Sequence, residues 1–453
     1  MKPTPRKPKS PEQIRARPAT AGPTATAAES LSKIAPARAA AFEILTLVGQ
    51  NKGHSDELLH SSRTSSLTSE DRNLATALVM GVLRWQIALD ARLSKLLARP
   101  DQRLAEPVAL ALRLGAFQLL HMDRIPAHAV LNESVELCRA AGHPHAAGMV
   151  NAILRKLAAA QKPGARIFES PAAFAERLAH PLWLVERWVA AYGREAALAI
   201  CEYNQREPQS GSLFPPTELT PTEALPQIDD GSRLVAELTA AALPHTTSTP
   251  RIWDCCAAPG GKTLILALRH PTAEIFATDI SPRRLAHTTT RLRQHNYAAN
   301  VRTEAADATQ ATTVATNFNL ILCDVPCTGT GTLARNPEIR HRLRPQDLAR
   351  QSARQRDLLT AATLRLAPGG RIVYSTCSLE PEENQQVVDA VASAAGLDRL
   401  PVEPLLANLA TSGILAHEIA ANLTASAINA TALRTLPGVL PCDGFFAAVL
   451  ERN

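Results

Sequence analysis

The chain has 453 residues, too many for one typical hydrophobic core, so two or three domains are expected. Hydrophobic residues make up an ordinary 45% and aromatic residues a low 4%, and no run approaches the roughly 20 apolar residues of a membrane span, so no membrane partner is expected. The net charge of +6 leans mildly toward polyanions, and eight cysteines without a C-x-x-C pair or zinc-ligand spacing argue against a disulfide framework and give no metal site.

Residues 1–32 carry Pro, Ala, Thr, Lys and Arg without hydrophobic periodicity and read as a disordered basic tail. The tail could touch RNA phosphates or simply be solvated. It has no apolar signal core, and the unpaired cysteines suit a reducing compartment, so a cytoplasmic protein is expected.

From 33 to 158 the pattern is helical throughout. Thr68-Ser69-Glu70-Asp71 resembles a capping box, followed by Leu74, Leu78 and Val82 at a four-residue spacing. Glu106 to Met122 forms an amphipathic stretch with Leu110, Leu114 and Phe117 on one stripe. Pro126 opens a third segment, Gly142-His143-Pro144 ends it, and Ala146 to Leu157 gives a further helix. This is an all-α domain.

Residues 159–227 read as a connector. His180-Pro181-Leu182-Trp183 turns into a helix continuing through about Ile200, and a stretch rich in Pro, Thr and Ser follows Asn204. Asp229 to Ala236 then begins a helix leading into the last domain, 228–453.

From 251 onward strands and helices alternate, the mark of a doubly wound α/β domain. Arg251 to Cys256 is the first strand. The turn Ala257-Ala258-Pro259-Gly260-Gly261-Lys262-Thr263 lets the backbone approach a ligand and opens a helix whose free N–H groups suit an anion. Asp279 ends the second strand, where an acid suits a ribose diol; Asp307 lies beyond the third, able to accept from an adenine amino group; Asp324 ends the fourth. Gly-x-Gly-x-x-Gly is absent, and the first glycine of a P-loop would fall at Cys256. An adenosine cofactor with a compact zwitterionic end remains, and S-adenosyl-L-methionine fits.

Two cysteines follow strand-like runs: Cys327 after Phe318 to Asp324, and Cys377 after Arg371 to Thr376. A lone cysteine at such a place is more often packing than chemistry. Two of them, one beside Asp324-Val325-Pro326, suggest a thiolate nucleophile with a second thiol near it, as cytosine C5 methylation in RNA requires. Cys138, Cys201, Cys255 and Cys323 read as buried small hydrophobes.

The stretches Asp71-Arg72-Asn73-Leu74, Gly81-Val82-Leu83-Arg84-Trp85, Leu112 to Leu120 and Val150-Asn151-Ala152-Ile153-Leu154-Arg155 look like the NusB family of RNA-binding helical domains. Ala257 to Thr263, Asp324-Val325-Pro326-Cys327-Thr328-Gly329-Thr330-Gly331, Thr376-Cys377-Ser378 and Asp443-Gly444-Phe445-Phe446 resemble the RNA (cytosine-5)-methyltransferases of the Sun/Fmu class over 228–451. The two domains in this order resemble the RsmB (Sun/Fmu) family, which acts on 16S ribosomal RNA. The resemblance implies Cys377 as nucleophile and Cys327 as the thiol that helps product leave; the sequence alone does not say which attacks. It also implies that Cys256, Ala257, Ala258, Pro259, Gly260, Gly261 and Lys262, with Asp279, Asp307 and Asp324, bind the cofactor, and that Asp324 holds the target base.

Two departures stand out. His341 follows Asn336-Pro337-Glu338-Ile339-Arg340, where the family commonly has an aromatic residue, and Glu207 to Gln227 is too short for the family's small RNA-binding subdomain. The same chemistry on transfer RNA, or a non-catalytic ribosome assembly factor, are the alternatives. A monomer is expected.

Overall fold

The computed structural model describes residues 33–101, 103–160, 170–208, 213–215, 228–244, 249–310, 315–426 and 431–452. The basic tail and most of the Pro-rich part of the connector lie outside these residues, as does the expectation that Glu207 to Gln227 is too short for a subdomain. Two compact units are present, one drawn from Met1–Gln50, His60–Val79 and Leu93–Lys162, the other from Asn51–Leu59, Met80–Arg92 and Pro163–Asn453.

The described residues of the first unit are helical, as the periodicity predicts. Thr68 caps the helix Ser69–Ser94 by accepting from the Asp71 N–H at 3.1 Å. In the helix Glu106–His121, Leu110, Leu114 and Phe117 are buried as the stripe requires. It packs on Ala127–Ala140 and Ala147–Ala159. Periodicity gives no sign of a polar cluster within this core. Arg38 donates to Gln118 Oε1 at 2.7 Å and to Glu133 Oε1 at 2.9 Å, so a nearly buried guanidinium is paired rather than orphaned. Among the described residues one helix, Ser69–Ser94, is long and apolar enough by composition to cross a membrane; its apolar stretch is interrupted by Arg84, Gln86 and Asp90, so the expectation that no apolar run reaches that length holds.

In the second unit an eight-stranded sheet runs in the order β3-β2-β1-β4-β5-β8-β6, with β7 also paired to β8. The strands are β1 Arg251–Asp254, β2 Glu274–Asp279, β3 Val301–Ala305, β4 Phe318–Asp324, β5 Leu366–Thr376, β6 Asp398–Leu400, β7 Ala432–Arg434 and β8 Phe446–Glu451. The first five in sheet order are parallel, and β8 is antiparallel to β5. Side chains alternate between two cores: Leu320, Leu322 and Val373 face one, Ile321, Cys323, Ile372 and Tyr374 the other. The sequence runs outward from β1 in both directions, so a crevice opens at the C-terminal ends of β1 and β4.

The stretch expected as a connector holds the helices Pro171–Arg177 and Leu182–Tyr203. Phe174, Trp188 and Ile200 pack with Leu333 and Leu379, which belong to the loops after β4 and β5. His341, the departure from an aromatic residue, places Nε2 2.7 Å from the Leu83 carbonyl. Its neighbour Arg340 is fully buried and donates to the carbonyls of Arg84, Ala179, Asn204 and Leu333. This segment is therefore a polar joint inside the second unit.

Candidate active site

β1 ends at Asp254, and the chain turns through Cys255 to Gly260 into the helix Gly261–Arg269. Gly260 has φ 91°, and a Cβ there would lie 2.8 Å from Thr288 Cγ2, so both backbone and space demand glycine. Asp254 is buried. Its Oδ2 accepts from Thr263 Oγ1 at 2.7 Å, while its Oδ1 makes no hydrogen bond of normal geometry among the described residues. Burial lifts this carboxyl to about 7.

The acid at the end of β2 closes the turn. Asp279 Oδ2 accepts from the Ala258 N–H at 3.3 Å and its Oδ1 from the Ser281 N–H at 2.9 Å. Asp307, beyond β3, accepts at Oδ1 from the N–H and hydroxyl of Thr309 at 3.0 and 2.7 Å; the hydroxyl, then the N–H, hold its carboxyl below the ordinary value. Cys256 Sγ lies 3.9 Å from Cys255 Sγ, and that contact, with burial, pushes the Cys256 thiol well up. These positions fit an adenosine ligand with a charged end: a glycine turn without side-chain bulk, carboxylates at successive strand ends, and one buried carboxylate oxygen left without a donor.

Asp324 joins that turn to the cysteines. Its Oδ2 lies 2.7 Å from Lys262 Nζ, and its Oδ1 accepts from Ser375 Oγ at 2.7 Å. Burial draws the Lys262 ammonium down, but the adjacent Asp324 carboxylate outweighs it and the net shift is upward; Cys377 is also within electrostatic reach. Cys327 and Cys377, from the loops after β4 and β5, bring their sulfurs to 3.4 Å. That contact, followed by burial, pushes the Cys327 thiol well above its ordinary range.

The backbone fixes this pairing. The Gly331 N–H donates to the Cys377 carbonyl at 2.9 Å, and the Gly444 N–H donates to the Gly331 carbonyl at 2.8 Å. A Cβ at Gly331 would lie 2.1 Å from the Gly444 carbonyl oxygen. The Thr-Gly-Thr-Gly, Thr-Cys-Ser and Asp-Gly-Phe-Phe segments are thus one braced unit around Cys377. Sequence reasoning missed one further residue here, Glu383. Its buried carboxylate accepts from Thr328, Ser378 and Gln355. The only sequence signal is its place in Glu380-Pro381-Glu382-Glu383-Asn384, which reads as a solvated acidic turn.

A family model described as 16S rRNA methyltransferase RsmB/F matches residues 241–451, and one described as the NusB family matches residues 35–159. The chain is 31% identical over 466 residues to ribosomal RNA small subunit methyltransferase B of Xanthomonas campestris, covering 94% of this chain and 99% of that protein. It is 29% identical to the probable ribosomal RNA small subunit methyltransferase B of Bacillus subtilis, covering 77% of this chain and 86% of that one. Among solved structures, PH0851 shares the fold with a TM-score of 0.69 at 19% identity, covering 92% of this chain and 99% of that one.

Proposed function

We propose, from the premise that this chain belongs to the RsmB/F family of 16S rRNA methyltransferases, which depend on S-adenosylmethionine, that it methylates C5 of a cytosine in small-subunit (16S) ribosomal RNA through a covalent cysteine adduct. The observation that carries this reading is the pair of sulfurs at 3.4 Å, placed at the ends of β4 and β5 beside the glycine turn. Chemistry at a single carbon rarely needs two thiols, and this one does.

Cytosine C5 is a weak nucleophile while the ring is aromatic. Addition of the Cys377 thiolate to C6 breaks the aromaticity and makes C5 enamine-like. S-adenosylmethionine, when bound, supplies an electrophilic methyl group on a sulfonium. The backbone of Cys256 to Lys262, with Asp254, Asp279 and Asp307, would hold it, the carboxylates accepting from its donors. After C5 is methylated, water takes the C5 proton, the C5–H electron pair forms the C5–C6 double bond, and the C6–sulfur bond breaks with its pair returning to Cys377. Cys327 assists that elimination.

Two features favour Cys377 as the attacker. The Cys327 thiol is held protonated and can donate its S–H to the Cys377 sulfur, and the Lys262 ammonium lies within electrostatic reach of Cys377. Asp324, fixed by Lys262 and Ser375, would orient the base. The target cytosine must be unpaired or flipped out of its helix. Transfer of labelled methyl from S-adenosylmethionine to 16S ribosomal RNA lacking the modification, with transfer RNA in parallel, tests the reading. Label at C5 of a 16S cytosine is expected; label only in transfer RNA, or none, overturns it.

A further inference from the structure

Glu383 is a carboxylate with no solvent exposure, and its partners are residues beside the two cysteines. Its Oε1 accepts from the Thr328 N–H at 2.9 Å and from Gln355 Nε2 at 2.9 Å. Its Oε2 accepts from the hydroxyls of Thr328 and Ser378. Thr328 follows Cys327, and Ser378 follows Cys377. Gln355, from the helix Pro345–Thr363, also donates to the Pro326 carbonyl at 3.0 Å, just ahead of Cys327. The Glu383 carbonyl accepts from the Tyr374 hydroxyl at 2.6 Å, anchoring the residue to β5.

A buried carboxylate is costly unless every lone pair is used, and here four donors use them. Three of those donors come from the two cysteine loops and the fourth from the helix Pro345–Thr363, so Glu383 adds a side-chain tie beside the backbone bond from Gly331 to Cys377. We propose that Glu383 is a positioning residue that clasps the Cys327 loop to the Cys377 loop and sets the spacing of the two sulfurs. The inference rests on the roles given above to the two cysteines. Since thiolate addition and elimination act on one ring, a misplacement of about 1 Å in either sulfur costs about 10²-fold in rate. The side-chain partners of Glu383 are Thr328, Gln355 and Ser378, and none of them is among the residues proposed to hold the cofactor.

The donors make one substitution diagnostic. The two N–H donors at Oε1 need an acceptor, but the two hydroxyls at Oε2 can rotate and accept instead. Glu383→Gln can therefore turn its carbonyl to the N–H groups and its amide to the hydroxyls, keeping the clasp without charge. Glu383→Ala cannot.

The full-length protein is assayed for methyl transfer to unmodified 16S ribosomal RNA and for S-adenosylmethionine affinity by calorimetry. Glu383→Ala is expected to lower kcat about 10²-fold with cofactor affinity unchanged, and Glu383→Gln to restore it to within about 3-fold of the parent. A variant combining Thr328→Val and Ser378→Ala, which keeps Glu383, is expected to lower kcat about 10-fold and serves should the alanine variant not fold. Sulfur spacing is read independently of RNA chemistry with diamide, a diazene that takes two electrons and two protons from a thiol pair as the disulfide forms. The Cys327–Cys377 disulfide, mapped by peptide mass spectrometry, is expected to form quickly in the parent and the Gln variant and more slowly when the clasp is lost. If cross-linking follows this pattern while no protein methylates RNA, the clasp stands and the proposed function fails. Unchanged cross-linking and turnover in the clasp-deficient variants, or a Gln variant as damaged as the Ala variant, overturns the clasp.

Discussion

Lys262 Nζ stands 2.7 Å from Asp324 Oδ2, a bond between the glycine turn after β1 and the acid that ends β4. These strands are neighbours across the point where strand order reverses, so the pair bridges the crevice in which ligands of such sheets bind. One ammonium thereby serves the turn, the acid and the cysteine loop.

Removing one partner leaves the other charge partly buried and uncompensated. Lys262→Met and Asp324→Asn are each expected to destabilise the protein by about 1–3 kcal/mol and to impair methyl transfer. The double variant should lose less than the sum, with a coupling of about 0.5–3 kcal/mol in a double-mutant cycle by urea titration. Strict additivity would show that the two side chains do not act as a pair.

Asp279 joins the glycine turn, through Ala258, to the loop after its own strand, through Ser281, at the strand end where the sequence pattern expects a ribose contact. Asp279→Ala is expected to weaken S-adenosylmethionine binding by about 1–3 kcal/mol, the cost of leaving hydrogen-bonding groups unpaired. Isothermal calorimetry measures it, and unchanged affinity would remove Asp279 from the cofactor site.

The strands β1, β2 and β4 were legible because each is a short apolar run ending in an aspartate, a local pattern. The braces were not, because they depend on which distant residues meet. Glu383 sits in an acidic run that chemistry alone assigns to solvent, yet its donors come from Thr328, Gln355 and Ser378 on three separate elements. Nothing in the sequence marks Arg340 for burial, which the four backbone carbonyls that meet it explain. The roles proposed for the two cysteines rest on the resemblance, since spacing alone does not say which sulfur attacks.

Burial sets a pH dependence that can be measured. Asp254 has a carboxyl lifted to about 7, against about 3.9 unfolded, so between those values the folded state holds a proton that the unfolded state releases. Its contribution to stability is complete below about pH 4 and is lost as pH rises through about 7. Asp254→Asn removes this titration while keeping an acceptor for Thr263. The variant should match the parent near pH 4 and exceed it by a few kcal/mol, roughly 2–4, at pH 8. Asp443, also lifted to about 7 by burial, keeps its own share of the slope in both proteins. Parallel stability curves for parent and variant would show that Asp254 is not the group responsible.

The two cysteines should fail differently, because adding a thiolate and expelling it need different help. Cys377→Ala is expected to abolish methyl transfer and any covalent bond to RNA, since no sulfur remains to add at C6. Cys327→Ala keeps that sulfur and its electrostatic contact with Lys262 but loses the partner at 3.4 Å, so addition proceeds and elimination stalls. This variant should accumulate as a protein–RNA complex that survives a denaturing gel. Its yield should depend on added S-adenosylmethionine if methylation precedes the stall. Normal turnover by Cys327→Ala would remove that residue from the mechanism, and RNA trapped by Cys377→Ala would reverse the two roles.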